Sequence, residues 1–156
     1  MASATFAVFG AVFAAAVSLG VAAVAQEGAE SVKARQSLMK QNSDNMKAIG
    51  AVVKGTGSES LDDLKRRAGE ISASAAKIPA AFSAEIHTGN APAGVETYAL
   101  PVIWTDKAKF DEAAKVLETK SAALADATDI DGARSAFAEV GKTCSGCHNT
   151  FRQKKN

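Results

Sequence analysis

The stretch Ile130-Asp-Gly-Ala-Arg-Ser-Ala-Phe-Ala-Glu-Val-Gly-Lys-Thr-Cys-Ser-Gly-Cys-His-Asn-Thr-Phe151 decides how the rest of the chain is read. Ile130, Ala133, Phe137, Val140, Cys144, Cys147 and Phe151 follow one another in strict steps of three and four, which puts them on one face of one helix. Near its end stands Cys144-Ser145-Gly146-Cys147-His148. Two thiols three residues apart on a helix can each add across a vinyl group of a porphyrin, and the next residue lies where its imidazole reaches the iron. Because the thiols continue the apolar stripe, a single covalent haem is expected to lie against the inside of the fold. Cys144 and Cys147 would be its thioether links and His148 an axial ligand.

Other uses of these residues fit less well. A zinc site needs four ligands, and beyond these three the chain offers only His87 and carboxylates. A thioredoxin-like dithiol opens a helix after a strand, whereas this motif closes a long helix. A disulfide across two intervening residues would close so short a loop that it would stabilise little.

Working outward, three more amphipathic helices are expected. Val32, Met39, Met46 and Val53 recur at sevens with Ile49 on the same face, and Lys54-Gly55-Thr56-Gly57 ends that helix. Leu61, Leu64, Ala68, Ile71, Ala75 and Ile78 form the next stripe, opened by Ser60 and Asp63 in capping-box spacing and ended near Pro79. From Ala80 to Pro101 no period survives, so this is the one long connection. A third helix is expected from about Trp104 to Asp126, with Phe110, Ala113, Leu117 and Leu124 inward. Together with the helix from Ile130 these make an all-α antiparallel four-helix bundle, with the haem near the C-terminal end of helix four.

The other end of the chain has a different character. Residues 1–25 carry no charged side chain, Phe6 to Ala25 is almost wholly apolar or small, and Ala23-Val24-Ala25 is a small-x-small tripeptide. A cleaved signal peptide over 1–25 is expected, hence export to the periplasm and a mature domain of 26–156. The absence of Lys or Arg near Met1 leaves a retained single-helix anchor as the alternative. All 18 basic and 17 acidic residues lie beyond this segment and nearly cancel, at +1, which argues against a nucleic-acid binder. No acid–base pair or activated nucleophile suggests an enzyme.

The side chain on the other haem face determines what the haem is for. Met39, Met46 and His87 are the soft or imidazole donors left beyond residue 25. Both methionines fall on the inward stripe of helix one, where either packing or ligation would suit them. Arg35 and Gln36, one turn before Met39, are candidates to meet the haem edge and its propionates. Lys142, Arg152, Lys154 and Lys155 near the attachment site could orient an acidic redox partner.

These residues resemble class II c-type cytochromes, the cytochrome c prime family. The resemblance lies in Cys144 to His148 followed by Phe151-Arg152 and a lysine-rich tail, in Arg35-Gln36-Ser37-Leu38-Met39-Lys40, and in Ile103-Trp104 with Phe110 after it. It implies a left-handed four-helix bundle, commonly a homodimer, with His148 proximal, Met39 over the distal face and Arg152 near the proximal one. It also implies one of two functions. In a low-spin branch a methionine ligates the iron and the protein carries single electrons; in a high-spin branch that position is open and binds nitric oxide or carbon monoxide. The stretch from Leu38 to Met46 with Ile49-Gly50 and Lys54-Gly55 is similar to the low-spin branch.

Overall fold

The computed structural model describes residues 14–154, with side chains from residue 26 to residue 154. The expected signal peptide and its cleavage tripeptide therefore lie outside the described side chains, as does Lys155 at the other end. Among the described residues no helix is long and apolar enough to cross a membrane.

Four long helices make the bundle: α1 (Ala14–Val53), α2 (Leu61–Ala75), α5 (Lys107–Ala125) and α6 (Ile130–Phe151), with two single-turn helices, α3 (Ile78–Ala81) and α4 (Val102–Thr105), between α2 and α5. Helix α2 packs on α1 and α5, and α5 packs on α6, which returns to α1. The core follows the expected stripes with two shifts, Val52 joining α1 and Ala114 taking the place of Ala113 in α5: Ile49, Val52 and Val53 come from α1, Leu64, Ala68, Ile71 and Ala75 from α2, Phe110, Ala114, Leu117 and Leu124 from α5, and Ala133, Val140 and Phe151 from α6. Helical positions three and four apart share a face, so each stripe buries as a unit.

Helix ends follow local chemistry. Helix α1 stops at Val53, and Gly55 adopts φ 70°, the left-handed conformation that glycine takes without steric cost. Helix α2 opens with the expected capping box, in which the Ser60 hydroxyl accepts from the Asp63 N–H while the Asp63 carboxylate accepts from the Ser60 N–H. Asp129 caps α6 by accepting from the Gly132 N–H at 2.7 Å.

Two boundaries differ from expectation. Pro79 does not end the second helix: α2 stops at Ala75, and Pro79 sits in the first turn of α3, where its missing N–H costs nothing. The third helix does not start at Trp104. Asp106, at φ −128° and ψ 54°, breaks α4 from α5 and redirects the chain.

Helices α1 and α6 run antiparallel in close register. A Cβ placed on Gly50 would lie 3.3 Å from Cζ of Phe137, and the Arg134 guanidinium donates to the Val53 carbonyl at 2.9 Å. The connection after α3 is fastened to the far end of this pair. Leu100 N–H donates to the Phe151 carbonyl at 3.0 Å, Gln153 N–H donates to the Tyr98 carbonyl at 2.8 Å, and Ala99 and Arg152 form an isolated antiparallel bridge. Residues 96–100 thus form a strap across the bundle end where α6 finishes.

Candidate haem site

At that end the helices part around a cavity of about 520 Å³. Its walls include Cys144, Cys147 and His148 from α6, Met39, Asn42 and Met46 from α1, Phe110 and Leu117 from α5, and Thr97 to Ala99 from the strap. The thiols are half-buried, and burial pushes both their pKa values up, so they rest as neutral thiols. Burial and the neighbouring charge of Arg152 push His148 below the ordinary histidine value, so its imidazole is neutral near pH 7 with a free lone pair. A metal can use that lone pair directly. Among the described residues no cluster of three or more His, Cys, Asp or Glu is arranged to hold a metal ion.

The lining tests whether a haem fits. It is mostly apolar, it contains two arginines, Arg35 and Arg152, and it contains no carboxylate. A flat apolar macrocycle with two acidic tails matches that character. So does an orphaned polar group: Asn42 is 7% exposed, and neither polar atom of its side chain has a hydrogen-bond partner.

The candidate edge residues line the cavity but are already partly committed. Arg35 is 3% exposed and donates to the carbonyls of Ala81, Ala84 and Ile86 and to the Ser31 hydroxyl. Its guanidinium lies 4.5 Å from the Phe82 ring centroid and 5.4 Å from that of Trp104. Burial lowers its pKa to about 10, which still leaves it charged at neutral pH. Three of its five N–H groups fasten the connection to α1 and a fourth is spent on Ser31 one turn back in α1, a role its position on the helix did not reveal. Gln36 is exposed and donates to the Glu96 carbonyl at 3.0 Å, holding the strap from the α1 side.

Of the three donors considered for the far face, the cavity brings two together with His148. Met39 and Met46 line it; His87 does not. The His87 Nδ1 accepts from the Gly89 N–H at 3.0 Å, and its ring packs 6.0 Å from that of Trp104 within the connection. Lys142 is paired with Glu139 at 2.8 Å, while Lys154 is exposed. Asn42 and the strap residues Thr97 to Ala99 are site residues that spacing alone did not single out. Asn42 had a legible signal, a polar residue on the inward stripe between Met39 and Met46.

Comparison with known proteins bears on this arrangement directly. Residues 30–152 match the family model described as Cytochrome C′. The chain belongs to the cytochrome c′ family. It is 34% identical over 123 residues to a cytochrome c′ of Rhodopseudomonas palustris, spanning 78% of this chain and 81% of that protein. Members of the cytochrome c′ family bind covalent haem c, and this chain has the two cysteines for it. Two solved members share the fold. One is an NMR-validated structural model of oxidised R. palustris cytochrome c556, with a TM-score of 0.71 and 28% identity over 81% of this chain and 98% of that one. The other is a nitric oxide complex of a mutant cytochrome c prime from Alcaligenes xylosoxidans, with a TM-score of 0.68 and 30% identity over 82% and 97%. Similar structures thus include both a cytochrome c556 and a nitric oxide complex of a cytochrome c prime.

Proposed function

We propose that this cytochrome is an exported, periplasmic one-electron carrier with one haem attached through Cys144 and Cys147, His148 as the axial ligand from α6 and Met39 as the axial ligand from α1. The register of α1 against α6 carries this reading. Gly50 lies beside Phe137 and Val53 beside Arg134, so a step along one helix is matched by an equal step back along the other. Both helices rise about 1.5 Å per residue, and eleven residues beyond the Gly50–Phe137 contact the same register sets Met39 level with His148. Met46 falls level with Gly141, two turns away. The thioether suited to meet an iron held by His148 is therefore that of Met39.

Bound haem supplies a centre that alternates between ferric and ferrous states. The chain's own residues keep that alternation fast by changing little. Two ligands on separate helices, pinned by the Gly50–Phe137 contact at one end and the strap at the other, keep their separation in both states. The thioether of Met39 favours the ferrous form. Arg35 has one uncommitted N–H to offer a propionate, and Gln36 stands beside it at the haem edge. Arg152 and Lys154 give that edge a positive rim for an acidic redox partner, so electron-transfer rates should fall as salt rises. No enzymatic step is needed.

The R. palustris cytochrome c556 supports the electron-carrier reading by its likeness. The nitric oxide complex of the A. xylosoxidans protein supports the second reading, a five-coordinate haem that binds nitric oxide or carbon monoxide over a non-ligating Met39. Absorption spectra separate the two. Met39 ligation gives sharp low-spin bands, a far-red sulfur-to-iron band in the oxidised protein and no change when carbon monoxide meets the reduced protein. A broad high-spin spectrum that shifts with carbon monoxide rejects it.

A further inference from the structure

Asn42 has no assigned role and presents an unresolved polar cost. It is more than nine-tenths buried, it lines the cavity, and its Nδ2 and Oδ1 both lack partners. Leaving a buried carboxamide unpaired is costly, so a group within the cavity is expected to satisfy it. In the α1–α6 register, Asn42 falls level with Ser145, between the two cysteines and one turn from Met39. It therefore belongs to the wall over the haem rather than to the haem edge. Neighbours at i and i+3 share a helix face, so the Asn42 amide and the Met39 side chain enter the cavity side by side.

We propose that the Asn42 carboxamide donates an Nδ2–H hydrogen bond to the iron's ligand on the α1 side, which in the reading above is the Met39 sulfur. Its Oδ1 is left for a water in the same cavity. A donor on the thioether draws electron density from sulfur and makes it a poorer ligand for ferric than for ferrous iron. Asn42 is thus a positioning and tuning residue, raising the reduction potential and keeping ferric Met39 displaceable. The proposal rests on Met39 ligation for the identity of the acceptor, and the test separates the two.

The test compares wild-type holoprotein with Asn42→Leu, a substitution of the same branched shape that removes both polar atoms and is expected to fold at least as well. If the wild type shows the far-red sulfur band, imidazole is titrated against the ferric forms and both potentials are measured. The expected result is imidazole binding weaker by about threefold to tenfold in Asn42→Leu, the equivalent of one hydrogen bond, with a lower potential. Unchanged affinity and potential, or tighter imidazole binding, overturns the proposal. If the wild type is high-spin, the Met39 reading fails on that spectrum alone and the Asn42 donor is read from nitric oxide instead. Dissociation from ferrous Asn42→Leu faster by about threefold to tenfold supports it, and an equal rate overturns it.

Discussion

Gly50 of α1 and Phe137 of α6 meet so closely that a methyl group on Gly50 would stand 3.3 Å from the phenyl Cζ. This contact fixes how the helix bearing Met39 slides against the helix bearing His148. Gly50→Leu should force the helices apart at this point, costing about 1–3 kcal/mol in thermal or denaturant unfolding. If Met39 ligates as proposed, the far-red sulfur band should weaken in the same variant.

Arg35 is expected to matter more for stability than for the haem's colour. Its guanidinium joins α1 to three carbonyls of the connection. Arg35→Met would leave those carbonyls without their donors and should cost about 2–4 kcal/mol in unfolding experiments. Arg35→Lys keeps the charge but not the planar fork, and should recover less than half of that loss.

The start of α2 gives a pH-dependent prediction. The Ser60 hydroxyl and backbone N–H hold the Asp63 carboxyl below its ordinary value of 3.8. A carboxyl depressed in the folded state is the more acidic there, so its contribution is complete above about pH 3.8 and is lost as pH falls through the lower folded value. Ser60→Ala should cost about 1 kcal/mol near neutral pH. Its acid limb of stability should be shallower than that of the wild type, measured by denaturant melts between pH 2 and pH 5, roughly the window around the aspartate value.

A single backbone hydrogen bond to the strap can be removed. Arg152 is already extended, at φ −122° and ψ 132°, the conformation favoured before proline. Gln153→Pro should therefore delete the N–H bond to the Tyr98 carbonyl with little other disturbance, costing about 1 kcal/mol. Amide exchange at Leu100, which bonds to Phe151 beside it, should become faster.

Much of this architecture was legible because it is written in side-chain periodicity. The strict three-four stripe from Ile130 to Phe151 gave a helix, an inward face and a contiguous attachment motif together, and α6 has those bounds. Ser60 and Asp63 act within four residues, so spacing sufficed for them too. The break at Asp106 left no such trace, because Trp104 and Phe110 suit a continuous stripe as well as a kinked one. The strap was hidden for another reason: its bonds to Phe151 and Gln153 are between backbones, which carry no sequence signal. Arg35 was legible in part: its place one turn before Met39 points to the cavity it lines, but its bonds to the carbonyls of Ala81, Ala84 and Ile86 had no signal in the spacing. The proposed pairing of Met39 with His148 rests on an interhelical register that neither helix encodes alone.

That pairing is tested most directly by the absorption spectrum of oxidised and reduced Met39→Ala holoprotein beside the wild type and Met46→Ala. Met39→Ala alone is expected to lose the far-red sulfur band, become high-spin and take up carbon monoxide when reduced. A Met39→Ala spectrum identical to wild type, or loss of the band in Met46→Ala instead, would contradict the pairing.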